Sequence, residues 1–197
     1  MTKAGARSLE KPPRAAHRVR RVAVIGAECT GKTTLCQTLS RVLPGVAFEE
    51  PLRLWVDEKG SPPGRAAQHA LLSLQQQAEA SAEQQAGSLG LSWVLCDSAP
   101  LVTAVYSEIY YDDQGLYELA LAHHAQSYQA TLVCDADLPW EADPGQRDGP
   151  ALRDTTHALL LQRLQDHGLG YFIVQGQGPD RARLAQDFLA GVDFAHR

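Results

Sequence analysis

Five short apolar runs punctuate the chain, separated by stretches in which apolar residues recur at helical spacing. Arg21-Val22-Ala23-Val24-Ile25, Gly45 to Pro51, Ser92 to Asp97, Ala130 to Asp135 and Tyr171 to Gln175 have the length and apolar content of buried parallel strands. Leu35, Leu39, Val42 and Leu43 mark a helix after the first run, stopped by Pro44-Gly45. Leu52 to Val56 forms a shorter one. A long polar-faced helix, rich in Gln and Ala, runs from about Arg65 to Ala86 and closes at Gly87 to Gly90. Ala99 to Tyr111, Leu116 to Gln129, Ala151 to His167 and Pro179 to Ala190 complete the helices; Lys59 to Gly64 and Leu138 to Pro150 are loops. Alternating strands and helices predict an α/β fold: a five-stranded parallel sheet with helices on both faces, in a single domain spanning 19–197.

Ligands of such sheets bind beyond the carboxyl ends of the strands. Polar clusters stand at these ends: a glycine-rich stretch after the first strand, Glu49-Glu50 after the second, Asp97-Ser98 after the third and Asp135-Ala136-Asp137 after the fourth. They are expected to meet in one cleft. The first cluster, Gly26-Ala27-Glu28-Cys29-Thr30-Gly31-Lys32-Thr33-Thr34, contains G-x-x-x-x-G-K-T between a strand and a helix, the phosphate-binding loop of many nucleotide-binding proteins. Gly26 and Gly31 permit backbone turns closed to residues with a β-carbon. The loop N–H groups converge on phosphates as an anion nest, and the helix from about Lys32 adds its positive end. Lys32 is expected to reach the β- and γ-phosphates of ATP, and the Thr33 hydroxyl to hold Mg²⁺.

Phosphoryl transfer also needs a group that orients the nucleophile and cations on the transferring phosphate. Asp97 is placed to bind Mg²⁺ through water or to accept a substrate hydroxyl proton, and Glu50 is placed to do the same. A helix cap, or an ion pair with Arg53, is the structural alternative. The 138–150 loop holds Trp140, Asp143, Arg147 and Asp148, and Arg153 follows it. A loop of this kind closes over phosphates and excludes water, bringing Arg147, or failing that Arg153, onto them. Tyr106, Tyr110 and Tyr111 either stack on a flat ring or belong to the core. Gln75, Gln76 and Gln77 read as a solvated helix face, and His123-His124 as surface.

Charge is spread unevenly over the 197 residues, whose net value is −5. Lys3, Arg7, Lys11, Arg14, Arg18, Arg20 and Arg21 face Glu10 alone, so residues 1–21 carry +6 and the remainder −11. The acidic body argues against nucleic acid as the main partner. Residues 1–18, with Pro12-Pro13 and almost no apolar pattern, read as a disordered basic tail. No run approaches the ~18 to 20 apolar residues of a membrane span, so a soluble, cytoplasmic protein is expected. Cys29, Cys36, Cys96 and Cys134 lack C-x-x-C spacing and read as reduced thiols, not a disulfide or zinc framework.

These residues resemble a known family, the ribosylnicotinamide kinase domain of the NadR-type bacterial NAD regulators and the AAA-like P-loop ATPase domains grouped with it. The likeness runs over nearly the whole chain from Arg21. The 26–34 stretch is similar to the family's G-x-E-S-x-G-K-S/T-T, Glu50-Pro51-Leu52-Arg53 to its E-x-x-R, and Cys96-Asp97-Ser98 to the D-S that ends its third strand. Pro139-Trp140, Asp143, Gly145 and Arg147 resemble its P-W-x-x-D-G-x-R lid, with Pro144 inserted, and Ala99 stands where many members carry a second acid. The resemblance implies a P-loop nucleoside/nucleotide-kinase-like fold and ATP-dependent phosphoryl transfer to a small nucleoside, nicotinamide riboside first among them, in NAD salvage. It implies Mg²⁺ at Thr33 and Asp97, a second cation at the nucleotide from Arg153, catalytic roles for Lys32, Asp97, Glu50 and Arg147, and acceptor contacts from Glu50, Arg53, Asp97, Tyr106 and Trp140. Glu50-Pro51 is also similar to the Glu-Pro of deoxynucleoside and thymidylate kinases, which makes another nucleoside the neighbouring alternative. An ATP- or GTP-binding regulatory switch without a small acceptor is the alternative of a different class.

Overall fold

The computed structural model describes residues 18–48, 50–141 and 149–192. The basic tail up to residue 17, Glu49, and the lid residues Asp143, Pro144, Gly145, Arg147 and Asp148 lie outside the described residues. Strands β1 (Arg20–Ile25), β2 (Gly45–Phe48), β3 (Trp93–Asp97), β4 (Ala130–Cys134) and β5 (Phe172–Val174) form one parallel sheet in the order β2-β3-β1-β4-β5. Helices α1 (Lys32–Val42), α2 (Pro51–Lys59), α3 (Gln68–Leu89), α4 (Pro100–Tyr111), α5 (Tyr117–Ser127), α6 (Pro150–Asp166) and α7 (Gly178–Gly191) connect and cover it.

Strand alternation sorts the core into two layers. Ala23 and Ile25 of β1, Val94 and Cys96 of β3 and Val133 of β4 pack with apolar residues of α3, α4, α5 and α6. Val22, Val24, Leu95, Leu132 and Cys134 face the other way, onto Leu35, Cys36 and Leu39 of α1 and Ala182, Ala185 and Leu189 of α7. Both faces are thus covered, as the pattern predicts. Prolines at the first positions of α2, α4 and α6 start helices where a missing N–H costs nothing. Gly90, at φ 69°, ends α3 in a left-handed turn, with Leu91 N–H donating to the Ala86 carbonyl at 2.8 Å.

The strand order fixes where a ligand belongs. The chain passes from β1 to β2 on one side, then crosses from β3 to β4 on the other side of β1. Order reverses at β1, so the crevice opens at the carboxyl ends of β1 and β3. There Val24 pairs in register with Asp97.

Two sequence expectations fail on the α3–α5 layer. Gln75 is 4% exposed and His124 3% exposed, not solvated. The cause is Glu79, one turn beyond Gln75, which is fully buried. A buried carboxylate must be surrounded by donors. Gln75 Nε2 lies 3.2 Å from its Oε1, His123 Nε2 2.7 Å from its Oε2, and the Tyr128 hydroxyl donates to it. Arg21 Nη1 adds a cation at 3.8 Å. His124 pairs separately with Thr131 Oγ1 at 2.8 Å, and burial holds its imidazole down at about 4, so it is neutral at pH 7.

Candidate active site

The glycine loop turns where the strand ends because its residues can. Gly26 has φ 154°, and a β-carbon there would meet Thr30 Oγ1 at 2.7 Å and the Cys134 carbonyl at 2.8 Å. Gly31, at φ 76°, is the N-cap of α1, and a β-carbon would press on Leu138 Cδ1 at 3.0 Å. Cys29 takes a left-handed conformation, φ 54°, without being glycine. Thr30 Oγ1 donates to the Ala27 carbonyl at 2.8 Å and Lys32 Nζ to the same carbonyl at 2.8 Å. No side chain caps α1 and no acid stands in its first turn. Its orphan N–H groups and positive end therefore point at an anion site beside Lys32 and Thr33.

Arg181, which carried no sequence signal, holds the back of this loop. It is 5% exposed on α7. Its Nη2 donates to the Thr30 carbonyl at 2.9 Å and the Asp135 carbonyl at 3.1 Å, and its Nη1 to the Gly176 carbonyl at 2.8 Å and Asp137 Oδ1 at 2.7 Å. Asp135 Oδ2 accepts from Gln175 Nε2 at 2.7 Å, and Asp137 also accepts from Gly176 N–H. The Asp135–Asp137 cluster therefore does not join the cleft as expected. It faces Arg181 and the β5–α7 turn, because a buried guanidinium needs its acceptors there. Arg181→Ala is expected to lower unfolding free energy by about 2–5 kcal/mol, the usual cost of stranding one side of a buried charged network. Urea unfolding monitored by circular dichroism checks it, and Arg181→Lys should recover only part of the loss, lacking the fork.

On the open side of the loop lies a cavity of about 580 Å³. Its lining includes Lys32, Thr33 and Thr34 of the phosphate loop and α1, Glu50, Arg53 and Asp57 of the α2 region, and Ser98. Tyr106, Tyr110 and Tyr111 of α4 line it too, with Pro62, Pro63 and Gln68. Tyr106 and Tyr110 stack with ring centroids 5.8 Å apart. The tyrosines, left open between core and site by the sequence, are wall residues of this cavity. Glu50 sits at the N-cap of α2 but makes no side-chain cap bond, so the capping alternative is not realised. Burial pushes its carboxyl above the ordinary 4.5, with Asp97 adding to the rise and Lys32, the Ser98 hydroxyl and Arg53 opposing it.

Asp97 lies behind the cavity wall, 2% exposed, and its Oδ1 has no hydrogen-bond partner among the described residues. Trp140 and Arg153 do not line the cavity: the Arg153 guanidinium lies 5.8 Å from the Trp140 ring centre and donates to the Leu138 carbonyl at 2.8 Å. The segment they hold touches the phosphate loop, where Cys29 Sγ approaches the Glu141 carbonyl at 2.9 Å. Arg147 lies outside the described residues. The other three cysteines are buried and free. No helix among the described residues is long and apolar enough to cross a membrane.

Fold and site together define a P-loop protein of kinase-like α/β architecture. The family model described as AAA domain matches residues 21–181, and the chain belongs to that family. Among solved structures, NadR protein in complex with NR matches with TM-score 0.71 and 22% identity, covering 92% of this chain and 54% of that one. NadR protein with NAD and AMP-PNP matches with TM-score 0.70 and 23% identity, covering 92% and 52%. The chain thus spans about half the length of the NadR chains. Deoxyadenosine kinase from M. mycoides with bound dATP matches with TM-score 0.58 and 14% identity, covering 87% of this chain and all of that one. No curated protein matches the chain.

Proposed function

We propose that this protein transfers the γ-phosphoryl group of ATP to a hydroxyl of a small nucleoside, with nicotinamide riboside as the first acceptor to test. One observation carries the reading: one cavity is lined by the phosphate loop, the Glu50 carboxylate and three tyrosines together. A switch that only holds nucleotide needs neither the carboxylate nor the aromatic wall beside the loop. The likeness to NadR with NR and with AMP-PNP supports the acceptor and the donor respectively.

The donor set suits Mg²⁺. Thr33 offers a hydroxyl and Asp97 a buried carboxylate with an unpartnered oxygen, both hard ligands. Among the described residues no group of three or more His, Cys, Asp or Glu converges as a protein cage, as expected where phosphates supply most ligands. Thr33 and Asp97 would hold the ion, which when bound neutralises charge on the phosphates. Lys32 exchanges its Ala27 carbonyl partner for a phosphate, a stronger charge-assisted bond. Glu50 faces the cavity and takes the proton from the attacking hydroxyl; Arg147 is the cation of the closing loop. Tyr106 and Tyr110 bind the flat base.

Two tests follow from these roles. The base must be deprotonated to act, so a raised Glu50 carboxyl moves the acid limb of kcat/KM above the range of an ordinary glutamate. In Glu50→Gln that limb should vanish along with most of kcat; a wild-type profile flat down to pH 5 removes Glu50 from the role. Arg147→Ala should lower kcat far more than it raises KM for ATP, because the contact forms only on closure. Unchanged kcat in steady-state assays would shift the clamp to another cation.

A further inference from the structure

We propose that Gln75 is a positioning residue for phosphoryl transfer: by holding the Ser98 carbonyl it fixes the turn that carries Asp97. The inference rests on the kinase reading above for the role of that carboxylate.

Ser98 is an unusual residue in its place. It has φ 71°, a left-handed conformation that a residue with a β-carbon holds only where its surroundings offset the strain. Two contacts do so. Its N–H donates to the Val24 carbonyl at 3.0 Å, tying it to β1 just before the phosphate loop. Its carbonyl accepts from Gln75 Nε2 at 3.3 Å. Ser98 is thus the joint that ties Asp97, one residue earlier in the chain, to β1 and to α3.

The Gln75 amide is itself locked. Its second N–H points to Glu79 Oε1 at 3.2 Å, and only the NH₂ end of an amide can serve two acceptors at once. Glu79 is held in turn by Tyr128, His123 and Arg21. Ser127 Oγ fixes the far nitrogen of His123 at 3.3 Å. A buried polar chain therefore runs from the α5 end of the molecule to the wall of the site. Nothing in core packing demands this. An apolar residue at position 75 would leave Glu79 and the Ser98 carbonyl each short of a donor. Low-dielectric networks of this kind give a single geometry to the groups at their ends.

The test compares Gln75→Met, which keeps the volume and removes the donor, with Leu72→Val, which weakens packing on the same helix. Steady-state kinetics, melting temperature and NMR hydrogen exchange of the Ser98 amide are read on each. For Gln75→Met the expected result is a kcat roughly ten- to a hundredfold lower, with KM for ATP and acceptor within about twofold, the pattern of lost positioning. Ser98 exchange should be faster. Leu72→Val should lower the melting temperature while leaving kcat and Ser98 exchange near wild type. Unchanged kcat and unchanged Ser98 exchange in Gln75→Met overturn the proposal, as do equal losses in both variants. Should Gln75→Met not fold, Gln75→Asn, too short to reach Ser98, carries the same expectations. Absence of acceptor-dependent turnover in the wild type would instead sink the kinase reading and the catalytic half of this proposal with it; Ser98 exchange then decides only whether Gln75 holds the turn, faster exchange supporting that and unchanged exchange ending it.

Discussion

Turnover is expected to vanish in Lys32→Ala while the fold survives. The two effects differ because the two interactions differ in size. In the free protein Lys32 makes one partly buried hydrogen bond, to the Ala27 carbonyl. Losing such a bond costs about 1 kcal/mol, a few degrees of melting temperature at most. On the proposed reading, the same ammonium faces charge developing on the transferred phosphoryl group in the transition state. Removing a preorganised donor there costs on the order of 10²–10³ in kcat, and a full positive charge more than a neutral donor. ATP binding should weaken too, because in the proposed complex Lys32 also pairs with the ground-state phosphates. Near wild-type turnover in the purified, folded variant would remove the phosphate loop from the chemistry.

Asp97→Asn should lower kcat by roughly 10² or more, the scale of a lost metal-linked or acid–base group. The carboxylate is buried at the end of β3, beside β1, and one of its oxygens is unpartnered among the described residues. A buried oxygen of that kind is costly unless a ligand uses it. The amide is isosteric, so packing with Val24 and Ser98 is kept and the melting temperature should hold. ATP affinity measured without Mg²⁺ should hardly change, whereas Mg²⁺-dependent tightening should be lost. A kcat surviving within about threefold, a difference of less than 1 kcal/mol, would make Asp97 a structural residue.

The fold was legible because its signals are local. Apolar runs of the first, third and fourth strands are bounded by turn residues, and α1 to α4 between them begin or end on Pro or Gly. The second run was read too long, through Pro51, because Glu50-Pro51 looks like a strand end; in fact Pro51 begins α2 and β2 closes at Phe48. The phosphate loop, Glu50 and Asp97-Ser98 were readable from their positions after strands. What was not readable depended on partners far away in the chain. Arg181 is one arginine among many until the fold brings it under Thr30. Asp135 and Asp137 looked like cleft residues because nothing in the sequence says that Gln175 and His157 engage the Asp135 carboxylate and Arg181 the Asp137 carboxylate. Gln75 and Glu79 were hidden in a Gln- and Ala-rich helix whose period gives no clear inner face. Only the packing of α3 against β3 and α4 shows that these two turn inward.

The most direct measurement of the central claim follows the phosphoryl group itself. Wild-type protein is incubated with Mg²⁺ and ATP labelled at the γ-phosphate, singly with each of a panel of nucleosides that includes nicotinamide riboside, and products are separated by mass and chromatography. Label on a nucleoside monophosphate, with ADP released in equal amount and little ATP consumed without acceptor, is the expected result. Label appearing only as inorganic phosphate, at a rate that no nucleoside raises, would contradict it and leave a nucleotide-hydrolysing switch.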